Sequence, residues 1–236
     1  HYNQSTYDTL PYNATAKNIL IVGAVNDVPS YVDASSVVMS NFSSWGPTDD
    51  GRIKPDVVGN GMFLISAWPD SPYYAAAAGT SMAAPNITGS LLLLQQHYED
   101  ISGAGNFMRA ATLKALSIHT ADETGDADGP DYAFGWGLLN TKAAAQVITD
   151  NGGAHQIIEG TLTNSAVNTV DISITEADAA VTVTLVWADP PGTPVAPALD
   201  PPDIMLVNDL DLRVSNGTST YQPWILNPAL PASAAT

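Results

Sequence analysis

The hydrophobic period of this chain changes near residue 150, and that change limits the fold more than any other feature. Before it, short continuous apolar runs alternate with helical patterns. "NILIVGAV" (18–25) reads as a strand buried on both faces, and "SVVMSNFSSWGP" (36–47) as a second strand breaking into a turn. "GRIKPDVVGNGMFLISAW" (51–68) holds two extended runs, 56–58 and 62–67, joined by Gly59, Asn60 and Gly61. Helical patterns then run from Ser81 to about His97, over 108–121 and over 138–148, with an Asp/Gly-rich loop at 122–137. Beyond residue 150, "TLTNSAVNTVDISIT", "AVTVTLVWAD" and "LVNDLDLRVS" alternate apolar and polar residues one by one, with Thr and Val prominent. A period of two means half-buried strands. The expected architecture is therefore an α/β domain over 1–150 and an antiparallel β-sandwich or jelly roll over 151–236, with a Pro-rich loop (190–203) inside it.

Charge and composition narrow the function. Seven Lys plus Arg stand against 24 Asp plus Glu, a net charge of −17 over 236 residues. Nucleic acid and anionic membrane surfaces want the opposite sign and are excluded as partners. An acidic surface suits calcium, a hard cation that takes oxygen ligands. With no cysteine there are no disulfides, no thiolate chemistry and no Cys-type zinc. No run approaches the roughly 18 apolar residues of a membrane span. "HYNQSTYDTL" carries neither the charged nor the apolar part of a signal peptide, and the chain starts without Met, so it is expected to begin inside a longer protein.

The chemistry concentrates in "GTSMAAP" (79–85), directly before the long apolar helix pattern. A nucleophilic serine needs exposure on a turn, a base within hydrogen-bond reach and donors for the oxyanion. Gly79 permits a tight turn with close approach of a substrate backbone. Ser81 falls in the first helical turn, where unpaired N–H groups and the positive dipole end favour negative charge. Pro85 is expected in that same turn, where its missing N–H costs least. The pattern is not the G-x-S-x-G of α/β-hydrolases. On these residues alone, Ser81 is either a helix cap or a nucleophile.

"GTSMAAP" followed by an apolar helix resembles the nucleophile segment of the subtilisin-like serine proteases. Further stretches match that family in order: "AKNILIVGAVND", "FSSWGPTDDGRIKPD", "FGWGLLNTKAA", and then "VTLVWADPPG" and "LVNDLDLRVSNGT", which are similar to the C-terminal β-domain of a bacterial alkaline-protease branch. The resemblance spans roughly residues 10 to 222. It implies the C-terminal part of a doubly wound, mostly parallel sheet, an acyl-enzyme formed on Ser81, an accessory role for Thr80 at the oxyanion, protein or peptide substrates and an extracellular location. Where the family has "APG" this chain has Gly59-Asn60-Gly61, and the residue after Pro85, often His in relatives, is Asn86.

In the family the catalytic Asp and His precede the serine. Only His1 precedes Ser81 here, without the family's His motif around it. His97 lies on the same expected helix, about 24 Å away at 1.5 Å per residue. His119 reads as a core or capping residue and His155 as an exposed one. Asn3 and Asn13 lack the context of the oxyanion asparagine. The expectation is that Asp, His and that asparagine come from an N-terminal segment absent here, that the chain by itself is inactive, and that strand 18–25 is left with an open edge. The rival reading is a non-catalytic binding or structural fragment with a β-sandwich adhesion module.

Metal candidates are two. Asp122, Asp126, Asp128 and Asp131 lie among glycines but lack the EF-hand order, so a solvated loop is expected there. Asp209 and Asp211 share one face of an expected strand, and the resemblance implies structural calcium at them. No cofactor is required for the chemistry. Five N-x-S/T sequons (Asn3, Asn13, Asn41, Asn86, Asn216) are read as chance, and Tyr73 and Tyr74 as walls of the cleft or as packing.

Overall fold

The structure, a computed structural model, describes residues 6–69, 72–174 and 180–236. Its first half is an α/β unit. Strand β1 (Val22–Val25) pairs in parallel with β2 (Val57–Asn60), in the register Val22↔Val57 to Val25↔Asn60. Leu138 continues the sheet through a parallel bridge to Val58. Both strands are buried, as a parallel pair covered on its faces must be, and Ala24, Val57 and Val58 are fully enclosed. Next to this pair stands an antiparallel hairpin, β3 (Leu64–Ala67) with β4 (Tyr74–Ala77).

Three helices complete the unit: α1 (Thr80–Ser102), α2 (Ala110–His119) and α3 (Thr141–Thr149). They share one core of Leu94, Met108, Leu116, Ala144, Val147 and Ile148, while Val25, Val37 and Val58 form a second core on the sheet. The first helix packs on both β1 and β2. Gly59 eases that approach, because a Cβ there would sit 2.7 Å from Ile87 Cδ1 and force the Ile87 side chain to shift. A buried ion cluster fixes the entry to the strands. Asp56 accepts from Lys54 at 2.5 Å, from Lys114 of α2 at 2.8 Å and from the Ile21 amide at 2.6 Å.

Four expectations need correction. The stretch 36–47 is not a strand. It runs along the free side of β1 through single bonds: Asn26 N–H to Val38 O, Ser40 N–H to Ala24 O, and Ala24 N–H to the Ser43 hydroxyl at 3.0 Å. Ser40 and Ser43 are fully buried, and their hydroxyls accept or donate in place of a regular ladder. For the same reason β1 does not present the expected open edge. The first helix continues past His97 to Ser102, where Gly103 (φ 102) ends it and donates to Glu99 O. Pro85 is the sixth residue of α1, not part of its first turn, so the helical bond onto the Ser81 carbonyl is missing.

Beyond residue 150 the described chain is mostly without regular secondary structure and pairs little. Its one ladder is β5 (Val214–Ser215) against β6 (Thr220–Tyr221), and no sandwich is assembled among the described residues. Part of the alternating pattern, 175–179, lies outside the described residues. This half instead docks on the first at several points, one of them the Met205 amide on the Asp50 carboxylate at 3.2 Å. Glu159 accepts from the Arg109 amide at the start of α2, Thr184 meets His119 at its end, and Asp189 binds Lys17 and Asn18 ahead of β1.

Candidate active site

Three elements place Ser81. Gly61 ends β2 and its carbonyl accepts from the Gly79 amide at 2.8 Å, which pins the turn to the sheet. Gly79 then takes φ 150 and ψ 163, a conformation that L side chains rarely adopt, and caps α1 without a side-chain bond. Thr80 and Ser81 are the first two helical residues, and the Ser81 side chain is exposed.

The capping geometry has a direct chemical consequence. Met82 and Ala83 donate to Gly79 O at 2.9 and 3.3 Å. The helix therefore engages these amides and leaves those of Thr80 and Ser81 as the donors of its positive end. Neither hydroxyl residue is the cap itself. An exposed hydroxyl beside such donors, at the end of a buried parallel strand, is a geometry for attack on a carbonyl with its oxyanion held by N–H groups.

None of the described histidines is committed to Ser81. His97 Nε2 lies 2.9 Å from Thr149 Oγ1, and His119 Nδ1 lies 3.0 Å from Thr184 Oγ1. Burial, and then the nearby His155, lower the pKa of His119. His155 is half-buried, more enclosed than expected. His1 and Asn3 lie outside the described residues. Asn13 sits in a short helical turn (Tyr12–Thr15) well before β1. Tyr73 and Tyr74 are exposed on the hairpin that leads into Gly79.

Two carboxylates of the acidic loop are engaged by protein groups. Asp131 accepts from the Ala133 and Phe134 amides at 2.7 and 2.6 Å, and Asp122 from Tyr31 and Asn140 at 2.5 and 2.8 Å. Asp209 and Asp211 are exposed, with Asp211 3.4 Å from Arg213. Among the described residues, the carboxylates that gather within 4.8 Å of one another are instead Asp8, Asp49 and Asp200, all exposed. Burial and the charges of Asp8 and Asp200 raise the pKa of Asp49. Sequence reading missed this trio because its members lie far apart in the chain.

It also missed Asp189, almost fully enclosed in the C-terminal half. Burial pushes its pKa up, but Lys17 and the N–H groups of Val207 and Asn208 outweigh that and hold it well below the usual carboxylate range. In a chain with only seven Lys and Arg, Lys17 just ahead of the first strand was the available signal.

Comparison with known proteins agrees with this geometry. The model of the subtilase family (Peptidase_S8) matches residues 2–137, more than half of the chain. A serine protease/ABC transporter B family protein of Dictyostelium discoideum is 30% identical over 211 residues, 76% of this chain and 12% of its own length. The C5a peptidase of Streptococcus pyogenes is 41% identical over 91 residues, 39% of this chain and 7% of its own length. The Clostridium perfringens CspB protease aligns in structure with a TM-score of 0.52 and 27% identity, covering 61% of this chain and 30% of that one. The chain thus spans a small part of each relative. With the family model over the α/β half and an exposed Ser81 whose turn is tied to the end of the parallel pair through Gly61, this chain belongs to the subtilase family.

Proposed function

We propose that this chain carries the nucleophile of an extracellular serine endopeptidase whose Asp, His and oxyanion Asn come from a segment N-terminal to residue 1. The observation that carries the reading is Ser81 itself, exposed on the first turn of α1 beside amides the helix does not engage. In this mechanism Ser81 Oγ attacks the scissile carbonyl while the histidine takes its proton. The Ser81 amide and the asparagine side chain hold the oxyanion, and Thr80 assists. The leaving amine takes the proton from the histidine, and water then releases the acyl group from Ser81 by the reverse sequence of transfers.

Protein or peptide chains are the substrates, with Gly79 at the cleft wall where a bare backbone admits an extended peptide. Structural calcium at Asp209 and Asp211 stays part of this proposal on the strength of the family resemblance, and the chemistry at Ser81 does not depend on it. No helix among the described residues is long and apolar enough to cross a membrane.

The test is Ser81→Ala in the complete protein. The corresponding loss known for subtilisin itself is on the order of 10⁶ in kcat, and a loss of that order is expected here with substrate binding little changed. Turnover within a few-fold of wild type would refute the assignment.

A further inference from the structure

The chain contains three Asn-Gly dipeptides. At Asn60-Gly61 the Gly61 amide is held by the Val25 carbonyl at 3.0 Å and the Asn60 side-chain amide donates to Asp27 at 2.8 Å, which ties that pair to the sheet. The other two, Asn151-Gly152 and Asn216-Gly217, lie on the surface. They are matched in most respects. Both asparagines are exposed, both glycines take positive φ (90 and 84), and neither glycine has a neighbour within 4 Å of where a Cβ would stand. They differ in what holds the reacting atoms. At the second site, in the turn between β5 and β6, Asn216 Oδ1 accepts from the amides of Thr218 at 3.1 Å and Ser219 at 2.8 Å. The Gly217 amide points to the Ser215 hydroxyl at 3.2 Å. At the first site Asn151 Oδ1 accepts one bond, from Ile157 N–H, and the Gly152 amide is tied to the His155 carbonyl at 2.8 Å.

From this contrast the geometry points to Asn216-Gly217 as a site of spontaneous deamidation, with Asn151-Gly152 protected. The Gly217 nitrogen, on losing its proton, attacks Asn216 Cγ. A C–N bond forms, and the side-chain nitrogen leaves as ammonia after taking a proton from solvent. The product is a five-membered succinimide, and water opens either of its carbonyls to leave an aspartyl or isoaspartyl residue. Two N–H donors on Oδ1 stabilise the oxyanion of the attack, as in any acyl transfer. The Ser215 hydroxyl accepts the Gly217 proton and can donate its own to solvent, whereas the His155 carbonyl only accepts and holds the Gly152 proton in place. The isoaspartyl product adds a methylene to the backbone of a hairpin with only two residue pairs, Val214↔Tyr221 and Ser215↔Thr220, and adds a charge beside it.

The experiment incubates the complete protein, folded and in denaturant, in mildly alkaline buffer and follows conversion at both asparagines by peptide mass mapping. In the folded protein Asn216 is expected to convert roughly tenfold faster than Asn151, the rate equivalent of about one net hydrogen bond. In the denatured chain the two rates are expected to converge. Equal rates in the folded protein, or faster conversion at Asn151, would overturn the inference. So would the same tenfold ratio in denaturant, because it would assign the difference to the following residues Thr218 and Gly153 rather than to the fold.

Discussion

As a candidate nucleophile Ser81 could be read from the sequence through a local pattern (a glycine for the turn, two hydroxyl residues and an apolar helix behind them) together with the family resemblance, although the Gly61 carbonyl that pins its turn is distant in the chain. The roles of the histidines could not, since their partners lie 52 and 65 residues away. Pro85 was misplaced by one turn, and its real position removes a bond from the Ser81 carbonyl. His119 illustrates how such long-range burial becomes measurable. Its pKa is lowered from 6.5 by burial and by His155, so the folded state binds the proton less readily than the unfolded one. The native structure is then penalised as pH falls through 6.5 towards the lower folded value, and unaffected well above it. In melts of wild type and His119→Gln, the gap between the two is expected to shift in favour of the variant only on the acid side. A gap that is the same at every pH would contradict the assignment.

At the scale of elements, the helices and buried strands followed the patterns because apolar periodicity and turn glycines act within one segment. The stretch 36–47 failed because its serines are buried against β1 as hydrogen-bonding side chains, which a reading by propensity counts as turn formers. The alternation beyond residue 150 yields only the two-residue strands β5 and β6 among the described residues, because pairing depends on partners that a single strand does not specify. Its hold on the α/β unit comes instead from side chains, above all Lys17 with Asp189, whose side chains are 12% and 3% exposed. Lys17 also donates to the Pro190 and Met205 carbonyls at 2.5 and 2.6 Å. Removing one partner of a buried pair costs about 3–5 kcal/mol. Lys17→Ala is accordingly expected to lower the melting temperature and to make the 190–203 loop sensitive to limited proteolysis. A variant with the melt and digestion pattern of wild type would show that the pair does not hold the halves together.

For the whole molecule, the net charge of −17 is an argument against nucleic acid and anionic surfaces as partners, and the absence of cysteine removes thiolate chemistry from these residues, without either saying what the chain does. The proposed function rests on one turn, and the family model over residues 2–137 shows the subtilase family to which that turn belongs. What the turn lacks among the described residues is a base, and a serine hydroxyl without one stays protonated and is a poor nucleophile near neutrality. The central claim is therefore that Ser81 is competent only in the complete protein. A serine-directed phosphonylating probe tests it most directly, applied in parallel to residues 1–236 alone and to the complete protein, with the labelled residue located by peptide mapping. The account predicts stoichiometric labelling of Ser81 in the complete protein and none in the monomeric 236-residue chain. Labelling of Ser81 in that chain by itself would show that it already contains a base, and would contradict the account.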